Sequence, residues 1–318
     1  MPSRYGFYGL LYLDAATSGG VNLARRADAI DTYLRCAATC HASFAAQDEA
    51  FSLITNDAAL VRARLDALGC GTIGVVEIPF QAVVPPGTPF YAAHFKLDVL
   101  RAFARGDLEA HVGLVDIDCV LQRPLALSDA LSVYEISEQI YPAYGIARVR
   151  ADLERIAGIA VERPLWFGGE FIAGPSERFR TLTQAIDACL PRYVGALDAL
   201  HHVGDEMVVT AAIHRAMADG LAVDDLGSGN PERGAQIVRW WSSRTYHRQV
   251  SFTDAATCAI LHLPSDKGFL AAQVGKAPDP GRFLRDYEAM FRRKRRGLRV
   301  QRLLDRMLRR PDRRVAEI

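Results

Sequence analysis

The chain has 318 residues, 50% of them hydrophobic and 24% charged, enough apolar material for one large core or two small ones. No apolar run reaches the length of a bilayer span, and the N-terminus passes from Met1 into a strand-like run without a signal-peptide core. The net charge of +1 hides an asymmetry: residues 291–318 hold twelve Lys or Arg and three acids, so a tail of +9 follows a body of −8.

Cysteines occur at 36, 40, 70, 119, 189 and 258. They sit in apolar contexts, and Cys36 and Cys40 beside His41 do not match a zinc spacing. Reduced, buried thiols and a cytoplasmic protein are expected.

In chain order, residues 5–13 read as a first strand, ending at Asp14 and a polar loop over 17–20. A helix follows near 23–46, then a strand over 51–55 stopped by Asn56 and Asp57, a helix over 58–68, and a strand over 73–78. A Pro-rich loop leads to a helix over 91–104. The run His111-Val-Gly-Leu-Val115 is short and apolar, so it reads as a buried strand, and it ends in Asp116-Ile117-Asp118 before turning apolar again.

The second half is less regular. Strands are expected over 131–140, 166–174, 237–241 and 259–263, and helices over 148–156, 176–190 and 204–218. Gly168 and Gly169 interrupt the 166–174 strand, which suggests a close backbone approach or a bulge. Strands alternating with helices predict a mostly parallel α/β sheet flanked by helices, whose ligands bind beyond the carboxyl ends of the strands. No repeat or low-complexity linker divides the chain. We expect one α/β domain over 1–285 and a separate basic tail over 286–318.

On a strand, Asp116 and Asp118 share a face and repel each other. A hard divalent cation such as Mg2+ or Mn2+ removes that repulsion. The plain alternative is a solvated turn with two exposed acids. Lys96 alone reads as a residue on a solvated helix face. His262 alone reads as a packed strand histidine, and Asp205 and Glu206 as acids stabilised by a helix N-terminus.

Together these segments resemble the GT-A fold glycosyltransferases, and within them the retaining family 8 enzymes. The first strand with Tyr12, and Thr55-Asn56-Asp57, resemble the nucleotide-binding half. The segment Tyr91 to Asp98 resembles the helix whose basic residue, here Lys96, faces the donor. Leu114 to Leu125 resembles the metal-binding Asp-x-Asp segment, and Ile260 to Lys267 the late His-to-Lys segment. In that last segment Ser265 stands where the family has Gly, and Lys267 comes one place early.

The resemblance implies a metal site of Asp116, Asp118 and His262 holding Mn2+ or Mg2+. It implies donor contacts from Tyr12, Asn56, Asp57, Lys96, Gly168, Gly169 and Lys267, and catalytic carboxylates Glu170, Asp205 and Glu206 around the transferred sugar. The substrates implied are a nucleotide-sugar donor and a glycan or lipid-linked acceptor, as in bacterial-type surface polysaccharide synthesis. Two alternatives stand beside it. Asp116 and Asp118 also match the first motif of haloacid-dehalogenase-type phosphatases, with Asp116 as nucleophile. A non-catalytic nucleotide-sugar-binding protein is the other.

In the tail, Val300, Leu303, Leu304, Met307 and Leu308 follow the spacing of one helical face, with Arg299, Arg302, Arg306, Arg309 and Arg310 around it. A basic amphipathic helix over 291–310 suits an anionic membrane surface; the alternatives are a helix docked on this protein's own acidic body and a basic arm that meets nucleic acid, on which the apolar stripe is idle, so nucleic acid is not an expected partner. The expected location is cytoplasmic, peripheral at the inner membrane.

Overall fold

The computed structural model describes residues 5–13, 29–227, 234–242, 251–276 and 279–307. The expected Asp14 strand end, the 17–20 loop and the first turn and a half of the 23–46 helix lie outside them.

The first half follows the βα alternation. It runs β1 (Gly6–Leu11), α1 (Ala29–Ala45), β2 (Ala50–Thr55), α2 (Ala58–Ala67), β3 (Gly74–Glu77), a 3-10 turn (Tyr91–Phe95), α3 (Lys96–Arg105) and β4 (His111–Val115). Three short strands follow at intervals, β5 (Cys119–Leu121), β6 (Leu131–Val133) and, after α4 (Ser137–Tyr144) and α5 (Ile146–Ala157), β7 (Phe171–Pro175). The rest is α6 (Ser176–Val194), α7 (Asp205–Ala218), β8 (Val223–Asp225), β9 (Ile237–Arg239), α8 (Phe252–Thr257), β10 (Ile260–His262), α9 (Lys267–Ala271) and α10 (Pro280–Met307).

Seven strands form one sheet in the order β3-β2-β1-β4-β7-β6-β8. β1 to β4 are parallel, and β7 runs antiparallel between β4 and β6. A second sheet, β5-β10-β9, was not expected as a separate unit. The chain crosses into it immediately after β4.

Two expectations need correction. The Asp-x-Asp residues do not continue a strand: β4 ends at Val115, and residues 116–118 form a turn closed by the Cys119 N–H on the Asp116 carbonyl at 3.1 Å. The strand expected over 131–140 stops at Val133, because Ser137 opens α4. The apolar, β-branched spelling of 131–136 masked that helix start.

The main core lies around the large sheet, with Leu34, Phe44, Leu53, Phe103, Phe179 and Ile186 fully buried. A second core joins the small sheet to α10 through Val238, Trp240, Leu261, Tyr287 and Phe291. All six cysteines are free and buried, so burial keeps the thiols protonated. The helix α10 starts with Pro280 behind Asp279, whose carboxylate accepts the Gly281 N–H at 2.9 Å. Phe283, Tyr287 and Phe291 recur every four residues and present one aromatic row to the body. The boundary expected at 285 therefore falls inside a helix already docked on the domain.

β4 carries the acidic turn, and Gly113 lets it pack. A Cβ at Gly113 lies 2.6 Å from the Phe7 ring and 3.1 Å from the Ala173 Cβ on the two neighbouring strands. We expect Gly113→Val to cost about 1–3 kcal/mol by overpacking, read as a lower melting temperature. An unchanged melt contradicts this packing.

Candidate active site and metal cluster

Strand pairing assembles the site. β4 and β7 run side by side, so their ends bring Asp116 next to Glu170, whose carbonyl accepts the Asp116 N–H at 2.9 Å. In the small sheet, register places Cys119, His262 and Arg239 in one row across three strands. Partners in a row share a face, so His262 and Arg239 both point at Glu170. Asp118 is held from the same side, its carbonyl accepting the Leu263 N–H at 3.0 Å.

Asp116, Asp118 and His262 each offer a ligand atom, and those atoms lie within 4.8 Å of one another. His262 Nε2 stands 3.2 Å from Asp118 Oδ1 and 4.0 Å from Asp116 Oδ2. Its Nδ1 stands 3.0 Å from Glu170 Oε1. A carboxylate on Nδ1 fixes the imidazole so that Nε2 faces the aspartates, the arrangement seen around metal-ligating histidines. Asp118 and His262 are buried, while the Asp116 side chain is 29% exposed, so the cluster opens to solvent on its Asp116 side.

Each aspartate's other oxygen meets a lysine. Lys96 Nζ lies 2.7 Å from Asp116 Oδ1, 3.4 Å from Asp205 Oδ2 and 2.8 Å from the Gly169 carbonyl. Lys267 Nζ pairs with Asp118 Oδ2 and donates to the Pro264 carbonyl at 3.0 Å. Arg239 grips Glu170 with two nitrogens, Nε to Oε1 at 2.6 Å, and reaches Glu206 as well. The second Glu206 oxygen accepts the Trp166 indole N–H at 3.0 Å.

The protonation states follow. Burial raises Asp116, and Lys96 only partly offsets it. Burial also pushes Asp118 upward, but Lys267 and His262 outweigh that and hold it well below the usual carboxylate range. Glu170, wholly buried, is held low by Arg239 and His262. Burial works against a charged His262, yet Asp118 and Glu170 raise it to about 9. Five carboxylates (116, 118, 170, 205, 206) face three permanent cations (96, 239, 267) and an imidazole that Asp118 and Glu170 hold protonated; an ion on His262 Nε2 would displace that proton, and two negative charges would then stand against it. Two oxygen donors, one fixed nitrogen and that charge deficit fit a divalent cation.

Lys96 is drawn into the acidic cluster rather than left on a solvated face. Lys267 is in the cluster too, but it is buried and its ammonium is committed to Asp118. Glu170, expected as a catalytic carboxylate, has no exposure, and its oxygens meet His262 and Arg239. Asp205 and Glu206 open α7 beside Gly169, where a Cβ comes within 2.8 Å of Asp205 Oδ2. At Gly168 a Cβ comes within 2.3 Å of Glu170 Oε2. Both glycines lie in the turn ahead of β7, which begins only at Phe171 rather than at the expected 166, and they let that turn approach the acids.

Tyr12, Asn56 and Asp57 sit at the ends of β1 and β2. Tyr12 stacks on Phe95 with centroids 3.8 Å apart. The Asn56 amide holds Leu13 on both its N–H and its carbonyl, at 2.7 and 2.9 Å. Asp57 caps α2, accepting the Leu60 N–H at 2.9 Å. Sequence reading missed Arg239 and Trp166. The one signal for Arg239 was a lone charge inside the apolar Ile237 to Trp241 run.

No family model matches the chain, and no curated protein matches it. Among solved structures it is similar to the bifunctional glycosyltransferase WbbM, over 89% of this chain and 52% of that one, at 9% identity and a TM-score of 0.50. It spans about half the length of that protein. The galactosyltransferase LgtC, solved with donor and acceptor sugar analogues, aligns with 89% of this chain and 100% of its own, at 13% identity and a TM-score of 0.49. The fold is the GT-A glycosyltransferase architecture expected from the sequence. The phosphatase alternative gains no support from it.

The Arg239 bridge generates a stability prediction. Removing one partner of a buried ion pair leaves an uncompensated charge and costs about 3–5 kcal/mol. Arg239→Met is expected to destabilise by that order in urea denaturation. The double variant Arg239→Met/Glu170→Gln should recover part of the loss, Glu206 still lacking its Arg239 partner. Equal destabilisation of single and double variants contradicts the pairing.

Proposed function

We propose that the protein is a metal-dependent glycosyltransferase that moves a sugar from a nucleotide-sugar donor to a glycan or lipid-linked acceptor, in surface polysaccharide synthesis of the bacterial type. The observation that carries this is the Asp116–Asp118–His262 cluster, with His262 fixed by Glu170, at the carboxyl end of a central strand of this fold. Those three residues would hold Mn2+ or Mg2+, an imidazole among oxygen ligands favouring Mn2+. When bound, the ion neutralises the diphosphate charge that develops as the sugar–phosphate bond breaks.

The chain's own groups do the rest. Asp205 and Glu206 line the sugar site and act as hydrogen-bond acceptors for sugar hydroxyls. Arg239 and Trp166 occupy both Glu206 oxygens and keep that carboxylate ionised and aimed. Lys96 spaces Asp116 from Asp205 and supplies a fixed positive charge between the metal site and the sugar site. Tyr12, Asn56 and Asp57 line the nucleotide side at the ends of β1 and β2.

Thermal shift over a panel of nucleoside diphosphates and nucleotide sugars, with and without Mn2+, tests this reading. Stabilisation by one nucleotide, dependent on Mn2+, is expected. Asp118→Ala and Asp116→Ala should each remove the Mn2+-dependent part while leaving a cooperative melt. Binding that ignores Mn2+, or survives in both variants, contradicts it. A non-catalytic binding protein shows the shift without sugar transfer in the matching assay.

No helix among the described residues is long and apolar enough to cross a membrane. We place the protein peripherally on the cytoplasmic side of the inner membrane, held by the tail over 291–310. Val300, Leu303 and Leu304 support this, being 57%, 60% and 50% exposed on a helix dense in arginine. Leu308 to Arg310 lie outside the described residues. Each basic residue near an anionic surface contributes about 1 kcal/mol. The whole protein is expected to sediment with anionic but not neutral liposomes, in a salt-sensitive way. A version ending at Arg296, which keeps the docked half of α10, should lose this binding. Equal behaviour of the two versions rules the tail out as anchor.

A further inference from the structure

Asp266 is buried and stands at the N-cap position of α9, one residue before Lys267. Its carboxylate accepts from Ser242 Oγ at 2.9 Å and from the Tyr287 hydroxyl at 2.9 Å, and pairs with Lys294 Nζ at 2.7 Å. Lys294 also donates to Ser242 Oγ at 2.6 Å. Tyr287 and Lys294 both belong to α10, two turns apart on one face. The side chain of Lys294 is 31% exposed against 4% for Asp266, so the lysine reaches inward from the surface to meet a buried charge. From there the contacts continue: Lys267, next in the chain, carries the ammonium that holds Asp118 Oδ2.

We propose that Lys294 and Tyr287 are positioning residues of the metal site, acting through Asp266 and Lys267 on Asp118. The docked half of α10 is then part of the site's machinery rather than an appendage to it. This rests on the metal-site reading given above.

The physical reason is charge compensation. Without the Lys294 ammonium, Asp266 is a buried carboxylate with no compensating cation among the described residues. It then competes with Asp118 for the Lys267 ammonium at the adjoining position. Asp118 loses the contact that turns its Oδ1 toward His262, and the ligand set loses its preorganisation. Because α10 runs unbroken from Pro280 to Met307, whatever grips its outer half is joined by one rod to Asp266.

The test is calorimetric titration of the whole protein with Mn2+ alone, without nucleotide, beside a melting curve for each variant. Lys294→Met is expected to weaken Mn2+ binding about five- to tenfold, below the ten- to hundredfold typical of losing a direct partner of a ligand. Lys294→Arg should stay within about twofold of wild type. Arg282→Met, on the exposed face of the same helix, should bind as wild type does. Tyr287→Phe keeps the ring packing and removes only the hydroxyl. It should weaken binding in the same direction by a smaller factor, and it carries the test where Lys294→Met does not fold. If Lys294→Met and Tyr287→Phe bind Mn2+ as wild type does, with or without a lower melting temperature, the tail contributes stability alone and the inference is overturned. A wild type that takes up no Mn2+ overturns the metal-site reading and this inference with it. A wild type that binds, with unchanged variants, overturns the inference only.

Discussion

Carboxylates cannot be crowded into a protein interior without cations among them, and that constraint organises this molecule. Glu170, Asp118 and Asp205 are all buried, and Asp116 and Glu206 stand beside them. Leaving even one uncompensated costs several kcal/mol. The compensating groups come from separate places in the fold: Lys96 from the start of α3, Arg239 from β9, His262 from β10 and Lys267 from α9. Lys96 meets acids carried by the large-sheet half, whereas Arg239 and His262 reach across from the small sheet to Glu170 at the head of β7. The cluster is therefore a fastening between the two sheets as well as a site. Its three permanent cations stop short of neutrality, a deficit that the proposed divalent ion would fill.

Much of this was legible in the sequence, for reasons that can be named. The apolar run before Asp116 and after Asp118 showed that the acids were held at a strand end, because apolar residues on both sides forbid an open loop. His262 could be singled out by its place before Pro264 to Lys267. The βα alternation up to residue 115 marked the parallel half of the large sheet. What was hidden depends on register. Arg239 meets Glu170 across 69 residues of sequence, and only the pairing of β9 with β10 aligns it. The second sheet was invisible for the same reason: three strands of three residues each carry no period of their own. Asn56 and Asp57 were legible as polar residues at a strand end, but their local bonds, which secure Leu13 and cap α2, depend on backbone geometry that the sequence does not show.

The tail joins the two themes. Its basic, amphipathic outer half was visible from the spacing of Val300, Leu303 and Leu304. Its inner half was not, because Phe283, Tyr287 and Phe291 precede the basic run and belong to the second core. The composition shift near residue 291 marks a change of surface chemistry within one helix rather than the end of a domain. One face of α10 is thus fixed by the body, and its far end carries apolar side chains that the body does not cover.

The central claim is that His262, held by Glu170, is a nitrogen ligand to a divalent ion shared with Asp116 and Asp118. Pulsed electron paramagnetic resonance of the Mn2+-loaded protein reads this directly. The account predicts a nitrogen modulation from one imidazole bound to Mn2+, present in wild type and absent in His262→Ala. Mn2+ bound in the wild type with no imidazole nitrogen coupling, or with the coupling intact in His262→Ala, contradicts it.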